Sequence, residues 1–537
     1  MRIEPVHIEK QNNLVRDYRN QKKMVTQYFD YGIMDFEKRV QELTNRTFKR
    51  QQVAEVLTRL NKAWGAPSST FENIERLKSE DSVVVIGGQQ AGLLTGPLYS
   101  INKIISIIQL AKQQEKQLGI PVIPVFWIAG EDHDFEEINH IFIHQDSRMK
   151  KYKVQQRILD KRSVSEIDLN RDDIDEWVDI ILKQMPETQY TKDIRRTILS
   201  CLENATSYVD FFANFIFKLF QEEGLVLMDS GNEFVRRLEN DYFTQMITKR
   251  EEISSGVFTA HKELHEAGYA ISLDVSPHDG NLFYHKDQER ILLMINSEGN
   301  WVGKQNEICL TTEELISIAE HSPEVLSNNV VTRPLMQDLV FPTLAFIGGP
   351  GEISYWSVLK PAFHALNMKM PPVVPRLSFT YVERKIHKLL QRYEITPTEA
   401  INGGVLQRRK AWFKKKINPP IEETVTDIKA VIENAHKPLR DIATTIRADL
   451  GDLAEKNLGY LIRDIEFLEK RITKALEQRF EKELSEFDLL ENTLHPNGLQ
   501  ERMWNPLPFL NDYGLDFFNE INGAVCSFDE DHYIVYI

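Results

Sequence analysis

The chain has 537 residues, 42% of them hydrophobic, with a formal net charge of -15 and a pI of about 5.5. That length and apolar content make a globular protein of more than one domain, and the acidic balance argues against DNA or RNA held through its phosphates. Cys201, Cys309 and Cys526 are too scattered for a disulfide framework or a zinc motif, no apolar run is long enough to cross a bilayer, and Met1-Arg2-Ile3-Glu4-Pro5 is no secretory leader, so buried thiols, no membrane partner and a cytoplasmic location are expected.

Residues 1–80 read as a helical lead-in, with Phe36, Val40, Leu43 and then Val53, Val56, Leu57, Leu60 at helical intervals. A core over 81–384 opens with Val83-Val84-Val85-Ile86, the β-branched run of a strand buried on both faces. Gly87 to Gly92 turns the chain, Pro97 suits the start of a helix, Leu98, Ile101, Ile105 and Ile108 give its buried stripe, and Gly119 stops it. A second strand, Val122 to Ala129, ends in Gly130-Glu131-Asp132-His133-Asp134. This is a βαβ unit with both polar loops at strand C-termini, the edge of an open parallel sheet where ligands bind.

Residues 145–200 are dense in charge, with short periodic pieces such as Ile174, Trp177, Ile180 and Ile181, and read as an inserted segment. Phe211 to Phe220 predicts an apolar helix capped by Gly224, and Leu225-Val226-Leu227-Met228 a third parallel strand ending at Asp229. A second insertion, about 240–320, carries the runs Tyr269–Leu273, Leu282–Tyr284, Ile291–Ile295 and Trp301-Val302 between turn residues, which suggests an antiparallel meander inserted in the sheet; 311–320 returns to helix. Pro342 to Ile347 followed by Gly348-Gly349-Pro350-Gly351-Glu352 repeats the strand-to-glycine-loop pattern, and Val373-Val374 makes a further strand. The class is α/β, a divided doubly wound Rossmann-type core with insertions and a long helical arm.

The arm is 385–490. Leu461, Ile465, Leu468, Ile472 and Ala475 form a heptad seam, flanked by an expected Glu466–Lys470 pair, and Pro419-Pro420 separates an earlier helix. A seam of this kind serves either an intramolecular hairpin or a homodimer, and the homodimer is the expectation. Residues 491–537, rich in aromatics and ending in Tyr533 to Ile537, return to the core.

Several groups carry candidate chemistry. The glycine loop offers backbone N–H groups and a helix N-terminus to a phosphate or carboxylate, but it matches neither G-x-G-x-x-G nor the Walker sequence. A tight turn explains its glycines and leaves Gln89 and Gln90 unexplained. Asp132 and His133 are the expected catalytic pair, as a proton acceptor or an ammonium site; Asp134 and Glu136 also suit an acidic helix N-terminus. Arg333 and Arg376, beside strand ends, are candidate clamps for carboxylates or phosphates, with Lys385 weaker. Glu352 either binds an ammonium or sugar hydroxyl or caps a helix. The basic run Arg408 to Lys416 reads as a solvated arm face, and His261, His265, His278 and His285 as surface histidines with no metal spacing.

The chain resembles, over essentially its full length, the bacillithiol-biosynthesis cysteine-adding family BshC. The residues that carry the resemblance are Gly88 to Gly92 through Thr95-Gly96-Pro97-Leu98-Tyr99, Phe126 to Glu136, Arg333-Pro334 with Gln337-Asp338, Gly348 to Glu352 with Tyr355-Trp356, Pro375-Arg376 with Ser378, and His495-Pro496 through Leu499 to Arg502. The resemblance implies a nucleotidyltransferase-like Rossmann core with insertions like the connecting peptides of class I aminoacyl-tRNA synthetases, and a dimerising coiled coil. It implies a ligase that adds cysteine to the amino group of glucosaminyl-malate, the last step of bacillithiol biosynthesis, through an activated cysteine carboxylate. Because amide formation needs an activated carboxylate, ATP or another nucleotide is the cofactor to expect, and magnesium held by one carboxylate of the acidic loop and substrate phosphates is a further option. Substrate-binding roles fall on Gln89, Gln90, Gly92, Thr95, Gly96, Glu131, Asp134, Arg333, Gln337, Gly349, Glu352, Tyr355, Arg376 and Ser378, with no resident metal site. The H-x-G-H pattern of nucleotidyltransferases is absent, Gln89 and Gln90 standing in its place, which argues against ordinary adenylation. Two other readings remain open: a nucleotidyltransferase forming an adenylate on another carboxylate, and a dimeric nucleotide-binding scaffold.

Overall fold

A computed structural model describes residues 1–417 and 420–537. They divide into two units, Met1–Gln145 with Met149–Tyr381 and Gln500–Tyr536 in the first, and Asp146–Arg148 with Val382–Leu499 and Ile537 in the second. In chain order the strands are β1 (Arg2–Val6), β2 (Val83–Gln89), β3 (Val122–Ile128), β4 (His140–Gln145), β5 (Arg148–Lys153), β6 (Val226–Asp229), β7 (Asp279–Lys286), β8 (Glu289–Ile295), β9 (Trp301–Gly303), β10 (Cys309–Leu310), β11 (Leu326–Asn328), β12 (Thr343–Gly348), β13 (Val373–Pro375), β14 (Phe379–Val382) and β15 (His532–Tyr536).

The first unit is built on a parallel sheet of order β13-β12-β2-β3-β6. β2 and β3 pair in register from Val83 with Val122 to Gln89 with Ile128, and β3 continues into β6. Every side chain of β3 is buried, as the run of apolar residues requires for a strand covered on both faces. The helix Leu98–Leu118 crosses from β2 to β3 and ends at Gly119, whose φ of 68° is the left-handed cap that glycine adopts without strain. After β6 the order reverses: β12 pairs on the other side of β2, with β13 at the edge beyond it. The reversal opens a crevice beyond the C-terminal ends of β2 and β12.

Several sequence expectations are corrected. The lead-in has its helices, among them Phe36–Leu43 and Arg50–Ala63, but begins with β1, which pairs antiparallel with β15. The apolar helix Tyr208–Leu219 ends before Gly224, which instead meets β6 at a φ of 65°. The meander does not join the parallel sheet: it forms its own, β10-β9-β8-β7-β11. Residues Arg250–Glu266 before it are helix, and Tyr269–Leu273 are not a strand. Cys201 and Cys526 are buried as expected, whereas Cys309, on the edge strand β10, is exposed.

The second unit contains two long helices, Ile421–Ile446 and Ala448–Arg479, packed as a hairpin. Glu466 pairs not with Lys470 but across the hairpin with Lys429, at 3.1 Å. Leu458 is buried in the hairpin, while the predicted seam faces away: Leu461 is 40%, Leu468 55% and Ile472 40% exposed. Pro420 precedes the first of these helices, and Pro419 lies outside the described residues. The basic run is the exposed face of the helix Leu406–Lys416, paired through Arg408 with Glu399 and Arg409 with Asp488. Lys385 pairs with Glu383 in this unit.

Candidate active site

A cavity of about 360 Å³ lies at the strand reversal. β2 contributes Gly88 and Gln89, with Gln90 just after it; the loop after β3 contributes Ala129 and Asp132; and after β12 come Gly349, from the turn, and Glu352 and Tyr355, from the helix Pro350–Trp356. Arg333 and Gln337 come from the helix Thr332–Val340, Arg376 from just after β13, and Tyr99 and Lys103 from the crossover helix.

The four residues of the acidic loop point in different directions. Glu131 is fully buried beneath the cavity, accepting from Arg333 Nε at 2.7 Å, Arg236 Nη2 at 2.8 Å and the Asn328 N–H at 3.1 Å. Burial disfavours its charge, but Arg333, Arg236 and Arg290 prevail and hold its pKa down to about 2. Asp132 borders the cavity; its Oδ1 takes Arg333 Nη2 and, at 3.5 Å, Arg290 Nη1, and its Oδ2 has no protein partner among the described residues. His133 lies outside the lining. Its Nδ1 accepts from Arg290 Nη1 at 3.2 Å and its ring meets Phe283 edge-on. Burial and the Arg290 charge lower its pKa, so the ring is neutral with its proton on Nε2. Asp134 is exposed and precedes the four-residue helix Phe135–Ile138 without capping it, and Glu136 pairs with Lys153. The loop is held by a close crossing of two strand ends: a Cβ on Gly130 would collide with Asp229 Oδ1 and Ser165 Oγ.

Behind Glu131, the Arg236 guanidinium also reaches Glu239 at 3.5 Å. Burial pushes the Glu239 carboxyl up to about 8 against the pull of Arg236, with Glu131 adding repulsion. A carboxyl whose folded pKa is raised lends stability below its unfolded value, and that stability is lost as pH rises through about 8. Glu239→Gln is therefore expected to flatten the fall of melting temperature with pH from about 4.5 upward; thermal melts across that window check it, and an unchanged slope would show that this carboxyl titrates normally.

The two arginines expected as free clamps are both committed. Arg333 stands on a helix rather than at a strand end and is paired with Glu131 and Asp132, leaving Nη1 without a protein partner among the described residues. Arg376 is held bidentately by buried Glu501, at 2.6 Å on both nitrogens, and Asn102 donates to the same carboxylate. Glu352 accepts from the Gly349 N–H at 2.8 Å, which is the capping role, and from Lys103 Nζ at 2.6 Å. Gly92, Thr95 and Gly96 form the turn rather than the lining. Leu94, Thr95 and Gly96 all have positive φ, their loop is pinned by Asn505 Nδ2 on the Leu94 and Gly96 carbonyls, and a Cβ on Gly92 would sit 2.8 Å from Gly96 Cα. Ser378 is bonded to His532 Nδ1 at 2.7 Å, away from the cavity. His285, expected at the surface, is bonded to Ser327 and held neutral by burial and two arginines, its pKa pushed down to about 3.

Lys103, Tyr99, Glu137, Trp127 and Phe346 line the cavity and escaped the sequence reading. For Lys103 a signal existed: a lysine inside the apolar stripe Leu98 to Ile108 has no solvent face to occupy. Among the described residues no group of three or more His, Cys, Asp or Glu side chains is placed to hold a metal, and no helix is long and apolar enough to cross a membrane.

Residues 1–377 match the family model described as bacillithiol biosynthesis BshC, N-terminal Rossmann-like domain, and residues 379–537 match its C-terminal coiled-coil domain. The chain belongs to the BshC family. It is 47% identical to a relative from Oceanobacillus iheyensis and 41% to relatives from Bacillus cereus strain AH187 and Bacillus anthracis strain CDC 684, each alignment covering all of both chains. All three carry the name "Putative cysteine ligase BshC". The chain is accordingly an enzyme of the ligase class. In this BshC-family chain the boundary between the two family models falls close to Tyr381, yet Gln500–Tyr536, within the coiled-coil match, is part of the unit that holds the cavity.

Proposed function

We propose that the chain joins the carboxyl group of cysteine to the amino group of glucosaminyl-malate, completing bacillithiol in the cytoplasm. The observation that carries the reading is the placement of Asp132, with one oxygen unclaimed, in the cavity at the strand reversal, opposite amide and guanidinium donors. Asp132 and Glu137 suit the ammonium that must lose a proton before it attacks, and the Arg333 Nη1 and Gln337 amide suit substrate carboxylates. The names of the full-length relatives support cysteine as the group that is joined, and the amino-sugar acceptor rests on the family resemblance of the motifs. Amide formation from a free carboxylate also needs an activating cosubstrate, for which ATP with magnesium is the natural class. Lys103, Arg333 and Arg376 are each held by a carboxylate, so the cavity as built does not fit a free triphosphate, and no step is assigned to one. The test supplies purified protein with cysteine, glucosaminyl-malate and single nucleotides and follows the product by mass; a strain lacking the chain should accumulate glucosaminyl-malate, and absence of both results would overturn the reading.

The assembly in this proposal is a homodimer through the arm, supported by the outward-facing seam. Leu468→Lys would set an ammonium in an apolar interface, where an unpaired charge is strongly disfavoured. Light scattering is expected to show a dimer for the parent chain and a monomer for the variant with its melting temperature unchanged; equal masses would overturn the seam as the dimer interface.

A further inference from the structure

The ammonium of Lys103 occupies the seam between the two glycine-rich turns on either side of the strand reversal. Its side chain is 2% exposed, and Nζ donates to the Gly88 carbonyl at 2.6 Å, Gln89 Oε1 at 3.2 Å and Glu352 Oε2 at 2.6 Å. An ammonium has three hydrogens and no acceptor, so all its bonds are used, and the Gln89 atom that faces it can only be the amide oxygen. The amide nitrogen is thereby turned the other way. Gln89 lines the cavity, and its Nε2 has no protein acceptor among the described residues.

From this geometry we infer that Lys103 is a positioning residue that fixes the polarity of the Gln89 amide, making position 89 a hydrogen-bond donor to an oxygen of the ligand. Resting on the ligase reading, that oxygen belongs to the carboxyl group of cysteine, the group that must be held and polarised for attack. Flipping the amide would set its NH2 against a buried cation, so the orientation is locked before any ligand arrives. Burial lowers the Lys103 pKa and Glu352 opposes the shift, which keeps the cation and the carboxylate mutually dependent. The same ammonium ties the end of β2 to the turn after β12, because Glu352 Oε2 also takes the Gly349 N–H. Neither turn can move without loosening the amide.

Three full-length variants test this. Gln89→Glu keeps an oxygen for Lys103 but turns a carboxylate toward the ligand; Gln89→Met removes both; Lys103→Met frees the amide to flip. The readout is calorimetric affinity for cysteine and for cysteamine, which has the same amine and thiol and lacks the carboxyl group. Gln89→Glu is expected to lose on the order of tenfold or more for cysteine, the effect of one bond to a charged group, with cysteamine nearly unchanged. Lys103→Met should move the same ratio in the same direction. If both ligands weaken together in every variant, position 89 acts only on the fold and the inference is overturned. A second measurement needs no ligand: with its oxygen facing a buried cation, Gln89→Glu should melt above Gln89→Met by about 2 °C or more. The reverse order would show that position 89 does not rest on the ammonium and would overturn the inference. Should the parent chain bind neither compound, the ligase reading falls, and the melting order alone decides whether position 89 rests on the Lys103 ammonium.

Discussion

Asp132→Asn is expected to lower turnover by roughly two to four orders of magnitude, the usual range for a group that moves a proton in the reaction, while the protein still folds. Asp132 borders the cavity with Oδ2 free of protein partners among the described residues, and Oδ1 is fixed by Arg333 and Arg290, so the carboxylate is already oriented for the proposed proton transfer. The amide of asparagine keeps an oxygen for those guanidiniums and loses the basicity. His133→Ala is expected to cost less than about tenfold, because the imidazole lies outside the lining and its Nδ1 already accepts from Arg290. Single-turnover rates and thermal melts on the same preparations separate the roles. An Asp132→Asn protein that turns over like the parent would remove this carboxylate from the chemistry, and a large loss in His133→Ala alone would move the role to its neighbour.

The β2–helix–β3 unit and the strands before Asp229 and Gly349 were legible because parallel strands buried on both faces leave unbroken apolar runs, and the glycines and prolines around them act locally. The acidic loop was legible as a neighbour of the candidate cavity and not as an arrangement. Its four polar residues are equivalent in sequence, and only the guanidiniums that descend on them, Arg236, Arg290 and Arg333, drawn from distant segments, decide that Glu131 is buried and Asp132 is presented. β1 was invisible for a related reason: Arg2-Ile3-Glu4-Pro5-Val6 becomes a strand through pairing with Tyr533 and its neighbours, which no local pattern announces. Arg376 lines the cavity, as its place after a strand suggested, but its partner was not legible. A guanidinium after a strand end suggests a ligand clamp, and the carboxylate it clamps turned out to be Glu501 of the same chain.

That pairing sets the second large effect. Arg376→Ala is expected to destabilise the protein by about 3–5 kcal/mol, the cost of leaving a buried carboxylate without its partner. Glu501 is 2% exposed, and although burial disfavours its charge, Arg376 holds its pKa below the usual carboxylate range. Among the described residues, Asn102 alone would remain to bond it. Removing both charges, in Arg376→Ala with Glu501→Ala, is expected to recover much of the loss, because the penalty belongs to the orphaned ion more than to the bond. Chemical denaturation of the three proteins gives the comparison. A single variant as stable as the parent would show that Glu501 needs no counter-ion, and would return Arg376 to the candidates for substrate binding.

The pairing of β1 with β15 bears on how the molecule comes into being. The Ile8 N–H and the Asp531 carboxylate that close this sheet are 523 residues apart along the chain. At ribosomal speeds of about 5–20 residues per second, β1 waits roughly half a minute to two minutes for its partner. The side chains that brace the cavity from behind, Glu501 on Arg376 and Asn505 on the left-handed turn, are translated in that same final stretch. A nascent chain can therefore lay down the parallel sheet early, while the braces on Arg376 and on the left-handed turn arrive only once Glu501 and Asn505 have left the ribosome.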